Sequence, residues 1–136
     1  MAPNPPEGYQ RIIPYLYYED AGAAVDWLAN AFGLRVTERV TNDEGKVLHA
    51  ALTLERNVVL LGAPSEPEGR ERSPRDMHHR HASVMIYVDD VDAHHARARS
   101  AGAEIFEEPA DQFYGDRRYA ARDPEGHDWY FARHLR

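Results

Sequence analysis

Apolar residues recur along the chain in two alternating rhythms, and the sequence of rhythms occurs twice. Residues 10–18 are mostly apolar and aromatic and predict a strand, Pro14 notwithstanding. Asp20 then offers a carboxylate to the free amides of a first helical turn. Ala24, Trp27, Leu28, Ala31 and Phe32 follow at helical spacing as one apolar stripe, closed by Gly33. Strands are predicted near residues 35–40, 47–54 and 57–61, with Asn42-Asp43-Glu44-Gly45 and Glu55-Arg56-Asn57 as turns. The order returns from His81. A strand runs to Val88, Asp89 or Asp90 caps a helix through Ser100, Gly102 ends it, and strands follow near residues 104–107, 117–122 and 128–133.

The two halves align residue on residue. Tyr15-Leu16-Tyr17-Tyr18-Glu19-Asp20 stands over Met85-Ile86-Tyr87-Val88-Asp89-Asp90 at an offset of 70 (87 − 17). Gly45 falls on Gly115 and Leu60 on Tyr130 at the same offset. A unit of this length is too long for a solenoid repeat and small for an independent domain, so the two copies are expected to share one core or one site. The predicted organisation is an extended or disordered segment at 1–9, a first βαβββ module at 10–62, a linker at 63–80 rich in Pro, Gly and alternating charge, and a second βαβββ module at 81–136, all within one domain. The fold class is α+β, with the paired modules forming a curled mixed sheet around a cavity and the helices outside.

Strand alternation divides the side chains between two faces. Ala82, Val84, Ile86 and Val88 form a continuous apolar face suited to a helix, and Trp129 and Phe131 join it. The other face carries His81, Ser83, Met85, Tyr87 and Tyr130 in the second half. In the first half it carries Arg11, Ile13, Tyr15, Tyr17 and Leu60. Aromatic rings mixed with a few polar groups are what a small-molecule cavity presents.

Composition narrows the chemistry. With 43% apolar and 29% charged residues over 136 positions, the chain is globular in character. A net charge of −7 argues against nucleic acid, whose phosphates need clustered Lys and Arg. The absence of cysteine removes disulfides, thiolate nucleophiles and zinc–thiolate sites. The Pro-rich start lacks the apolar core of a signal peptide, and no apolar run reaches membrane-spanning length, so a cytoplasmic protein without membrane contact is expected.

The doubled unit, the Tyr87-Val88-Asp89-Asp90-Val91-Asp92 opening of the second helix, its Ala101-Gly102-Ala103 close and the Arg122-Asp123-Pro124-Glu125-Gly126-His127 turn together resemble the vicinal oxygen chelate superfamily. This is the group of glyoxalases, bleomycin-resistance proteins and extradiol dioxygenases. The resemblance spans about Ile12 to His134. In its metal-dependent members, four side chains from the first and last strands of each half ligate a divalent ion. The matching positions here are Ile13, Leu60, Ser83 and Tyr130. Isoleucine and leucine have no donor atom, and serine and neutral tyrosine are poor ligands, so the resemblance implies the metal-free branch with no cofactor. That branch binds small molecules, notably bleomycin-class drugs, as homodimers. The expected function is metal-independent binding and sequestration of an aromatic or cationic drug-like ligand through Tyr15, Tyr17, His49, Leu60, His81, Ser83, Met85, Tyr87 and Tyr130. The alternative is a glyoxalase-like isomerase or lyase, or a dioxygenase-type enzyme, with a non-standard metal site at His49 and His81 or with metal-free acid–base catalysis by His49, His81 or Tyr130.

Of the eight histidines, His78 and His79 end the linker and the adjacent pair His94-His95 lies on a helix; all four are read as solvated. His49 falls on Tyr119 at the offset of 70. Arg118 and Arg122 are read as a solvated strand face within reach of a ligand carboxylate.

Overall fold

The computed structural model describes residues 2–64 and 72–135 and divides the chain into two compact units, Met1–Ser73 and Pro74–Arg136. The fold is α+β. The first unit orders its elements as β1 (Tyr15–Tyr17), α1 (Ala21–Phe32), β2 (Arg35–Thr41), β3 (Val47–Leu54) and β4 (Asn57–Gly62). The second repeats the order as β5 (Val84–Tyr87), α2 (Val91–Ser100), β6 (Glu104–Asp111), β7 (Asp116–Arg122) and β8 (Asp128–His134). Each unit is a four-stranded mixed sheet, β1-β4-β3-β2 or β5-β8-β7-β6, with its helix against one face. β1 and β5 run parallel to β4 and β8, and the remaining pairs are antiparallel. Among the described residues no helix is long and apolar enough to cross a membrane.

Local chemistry fixes the helix ends. The Asp20 carboxylate accepts from the Ala23 amide and Asp90 from the Ala93 amide, each at 3.0 Å, so both predicted caps form and Asp90 fills the second. Gly33 closes α1 in the left-handed conformation at φ 76°, which a residue without a side chain adopts at little cost. The apolar stripe of α1 is buried at Ala21, Ala24, Val25, Leu28, Ala31 and Phe32. Trp27 lies at its margin, half-buried, with its ring edge-on to Phe32 at 5.2 Å.

Helix α2 docks differently, because only Val91 and Ala98 of its sequence are buried. His94 lies against Phe131 at 4.3 Å between ring centroids, and its Nδ1 is 2.6 Å from the hydroxyl of the fully buried Tyr119. His95 packs edge-on to Tyr119 at 5.2 Å, with its Nε2 3.2 Å from Glu108. The helical histidines are therefore packing residues and not solvated ones: a helix poor in apolar side chains seats itself through imidazole faces.

The first strand is shorter than the apolar run 10–18. Proline has no amide proton to give a ladder, so only the Pro14 carbonyl takes part, accepting from the Leu60 amide at 3.0 Å. Upstream, the Gln10 side chain replaces the missing strand by donating to the Val58 carbonyl at 2.7 Å and accepting from its amide at 3.0 Å. β5 likewise begins at Val84 and not at His81. β6 runs past residue 107 to Asp111, through Pro109.

Bulges reset the alternation. Thr37 in β2 and Phe106 in β6 are extra residues opposite a regular partner strand, and Leu48 is extra in β3, where Val40 pairs with His49 but Thr41 with Val47. The Leu48 bulge shifts the repeat by one. His49 pairs with Gly62 while Arg118 pairs with Ala132, so the counterpart of His49 is Arg118 (118 − 49 = 69) and not Tyr119.

Of the expected linker, residues 65–71 lie outside the described residues. On its near side Glu19 holds Arg72 at 2.8 Å and accepts from the Ser73 amide at 3.0 Å. On its far side Arg80 donates to the carbonyls of Gly126 and Met77, and Arg75 pairs with the buried Glu125 at 3.3 Å. Within the N-terminal segment the Tyr9 amide donates to the Pro6 carbonyl at 3.0 Å.

Candidate functional site

In each unit the helix covers one face of the sheet, and the candidate residues stand on the other. In the first unit, register places Tyr15 beside Leu60 and Tyr17 beside Gly62. Leu60 is opposite Ala51, and Gly62 opposite His49, across the β3–β4 pair. Residues in register share a face, so Tyr15, Tyr17, His49 and Leu60 project together, opposite α1. Gly62 makes the floor. A methyl group there would lie 2.8 Å from a Tyr15 ring carbon and 3.4 Å from a Tyr17 ring carbon, so the rings settle where only glycine leaves room.

The two tyrosine rings stack at 5.2 Å with 29° between planes. The Tyr15 hydroxyl lies 3.1 Å from His49 Nδ1, and His49 Nε2 lies 3.5 Å from Glu38 Oε1. Burial, and then the neighbouring Tyr17, push the Tyr15 phenol above its ordinary value, so it remains protonated. Glu38 escapes simple alternation from Arg35, because the Thr37 bulge turns it onto this face opposite Ala51. The signal that reveals it is the bulge, which sequence pattern does not mark.

In the second unit Met85 and Tyr130 are in register, as are Tyr87 and Ala132. Tyr130 is half-buried. The Arg118 guanidinium lies over its ring at 4.8 Å, and Phe106 meets it edge-on at 5.8 Å. Arg122 in turn covers Phe106 at 5.1 Å. Neither arginine is a solvated face residue. Arg118 donates twice to Glu107 Oε1, at 2.9 and 3.2 Å, and Arg122 donates to Asp128 at 2.7 Å. Phe106 owes its place here to its own bulge.

Tyr87 is 58% exposed, yet its hydroxyl donates to the buried Asp116 at 2.9 Å, and His134 Nδ1 lies 2.8 Å from the other carboxylate oxygen. The bond from His134, with that from Tyr87, holds the Asp116 carboxyl below its usual range against the opposing effect of burial. Bonding to Asp116 pushes the Tyr87 phenol up. Tyr87 therefore offers its ring outward, with its hydroxyl already engaged.

His81 and Ser83 are exposed on the chain leading into β5, before the strand whose alternation was to place them with Met85. Ile13 is half-buried just before β1, and Leu60 is half-buried within β4. Among the described residues no three His, Asp or Glu side chains are gathered as a metal-holding group. Ile13 and Leu60 have no donor atom, so the residues at the four resemblance positions do not fit a divalent ion.

Comparison with known proteins gives a consistent set of relatives. Residues 10–131 match the model of the glyoxalase/bleomycin resistance protein/dioxygenase superfamily. An uncharacterized protein of Mycobacterium bovis is 34% identical over 120 residues, covering 87% of this chain and 79% of that one. The crystal structure of TioX from Micromonospora sp. ML1 superposes with a TM-score of 0.73 at 35% identity, covering 93% of this chain and 99% of that one. A lactoylglutathione lyase from Agrobacterium tumefaciens shares the fold with a TM-score of 0.64 at 20% identity, covering 95% of each chain.

Proposed function

The chain belongs to the glyoxalase/bleomycin resistance protein/dioxygenase superfamily, and from that premise we propose that it is a metal-independent binding protein for an aromatic, drug-like small molecule. In the first unit the proposed contacts are Tyr15, Tyr17, His49 and Leu60; in the second they are Met85, Tyr87 and Tyr130, with His81 and Ser83 leading into β5. The proposed working form is a cytoplasmic homodimer that sequesters its ligand.

The observation that carries this reading is the chemistry at the four positions where the superfamily resemblance places metal ligands. Ile13 and Leu60 cannot coordinate. Tyr130 has a guanidinium over its ring and a phenyl edge beside it, the surroundings of a wall residue. Without a Lewis acid, enediolate and oxygen-activating chemistry has no electrophile to drive it. Partly exposed stacked rings keep their value for binding, each aromatic contact contributing about 0.5–1.5 kcal/mol beyond burial. Isothermal titration of EDTA-dialysed protein with metal-free bleomycin and with proflavine tests the reading. Saturable binding is expected, weakened roughly three- to tenfold by Tyr130→Ala. Binding that requires added Ni²⁺, Zn²⁺, Mn²⁺ or Fe²⁺, or no binding of either probe, would overturn it.

The Tyr15–His49–Glu38 chain favours one second reading, an acid–base enzyme of the same fold. That reading requires turnover that disappears in His49→Ala with the fold intact.

A further inference from the structure

The first unit's helix-free face carries a Tyr15–His49–Glu38 chain of contacts whose direction can be read from its end. Glu38 is a carboxylate and can only accept, so the His49 nitrogen facing it, 3.5 Å away, carries the proton when the imidazole is neutral. Nδ1 is then the lone-pair nitrogen, and the Tyr15 hydroxyl, 3.1 Å away, donates to it. That leaves the Tyr15 oxygen with lone pairs and no outward proton. Beside it lie the stacked rings of Tyr15 and Tyr17, whose faces are electron-rich, and the half-exposed Glu38 carboxylate. With Tyr15 itself 45% exposed, the patch presents acceptors to solvent.

Resting on the aromatic-binding reading above, we propose that this patch is a subsite for a cationic N–H group, a protonated amine or a protonated heteroaromatic nitrogen, attached to the ligand's ring system. The N–H donates to the Tyr15 oxygen, and the exposed part of the stacked rings lies beneath the charge. His49 and Glu38 act as positioning residues that fix which way the Tyr15 proton points. The elements packed around His49 bring few other charges: β2 contributes Glu38, β1 contributes Tyr15 and Tyr17, and β4 contributes only Leu60 and Gly62.

The test compares two planar probes on metal-free protein at about pH 8, where imidazole is neutral. Proflavine is cationic with N–H donors; acridine-9-carboxylate shares its ring system and is an anion. Wild-type protein is expected to bind proflavine about tenfold or more tighter than the anion, the range of one charge-assisted hydrogen bond. Tyr15→Phe and Glu38→Gln should each lose most of that preference, with the circular dichroism unchanged. Equal affinity for the two dyes, or a preference that survives Tyr15→Phe, overturns the subsite; with both dyes still bound and both weakened by Tyr130→Ala, the aromatic-binding reading stands. Failure of wild-type protein to bind either dye removes the subsite and that reading together.

Discussion

Gly62 decides what Tyr15 can do. Its backbone is the floor on which the Tyr15 ring rests, and a methyl group there would press to 2.8 Å from the ring. Gly62→Ala is therefore expected to displace Tyr15 from His49 at a modest stability cost of about 1 kcal/mol. Proflavine affinity should fall while the melting temperature shifts by only a few degrees, and the two are read by titration and calorimetry. Asp116 makes a second statement at this scale, about pH. Its carboxyl is held below the ordinary range, chiefly by the bond from His134. A depressed folded value stabilises the fold above the ordinary carboxylate pKa of about 4, and that contribution is lost as pH falls through the folded value. The melting-temperature gap between wild type and Asp116→Asn should be full above about pH 5 and close toward strong acid. A gap independent of pH would mean that ionisation is not the source.

At the scale of elements, the turn between β7 and β8 is built around one buried side chain. Asp123 accepts from the Glu125 amide at 3.0 Å and the His127 amide at 3.1 Å through one oxygen, and from the Trp129 indole at 3.0 Å through the other. Asp123→Ala should cost about 3 kcal/mol, since two buried donors and one half-buried donor lose their acceptor, and Asp123→Asn should cost less. Urea unfolding measures both. Losing the α2 cap in Asp90→Ala should cost about 1 kcal/mol by the same measurement. Elements of this kind were legible in the sequence: the capping aspartates, Gly33, the hairpin turns and the β3, β4 and β8 strands are set by local chemistry. What was not legible depends on pairing. Pro14 shortened β1 because its carbonyl had a partner and its nitrogen none. Bulges at Thr37, Leu48 and Phe106 inverted alternation, bringing Glu38 and Phe106 to the helix-free faces and replacing Tyr119 with Arg118 as the counterpart of His49. His94 and His95 looked solvated because no pattern in a polar helix announces which of its imidazoles will meet a phenyl ring.

At the scale of the whole molecule, one plan serves two chemistries. The two units share strand order, yet the first presents tyrosines with a histidine and a carboxylate, and the second presents Tyr130 and Phe106 laid under arginines. The two halves keep one frame and differ at matched positions, and two of the four resemblance positions, Ile13 and Leu60, offer no donor atom; the proposed metal-independent binding rests most heavily on that point. Native mass spectrometry of the untagged protein tests it directly, before and after Ni²⁺, Zn²⁺, Mn²⁺ and Fe²⁺ and with proflavine added. A homodimer mass that carries the dye without any metal and keeps no stoichiometric ion after desalting is expected. One retained metal per chain, or a dye adduct that forms only once metal is present, would contradict it.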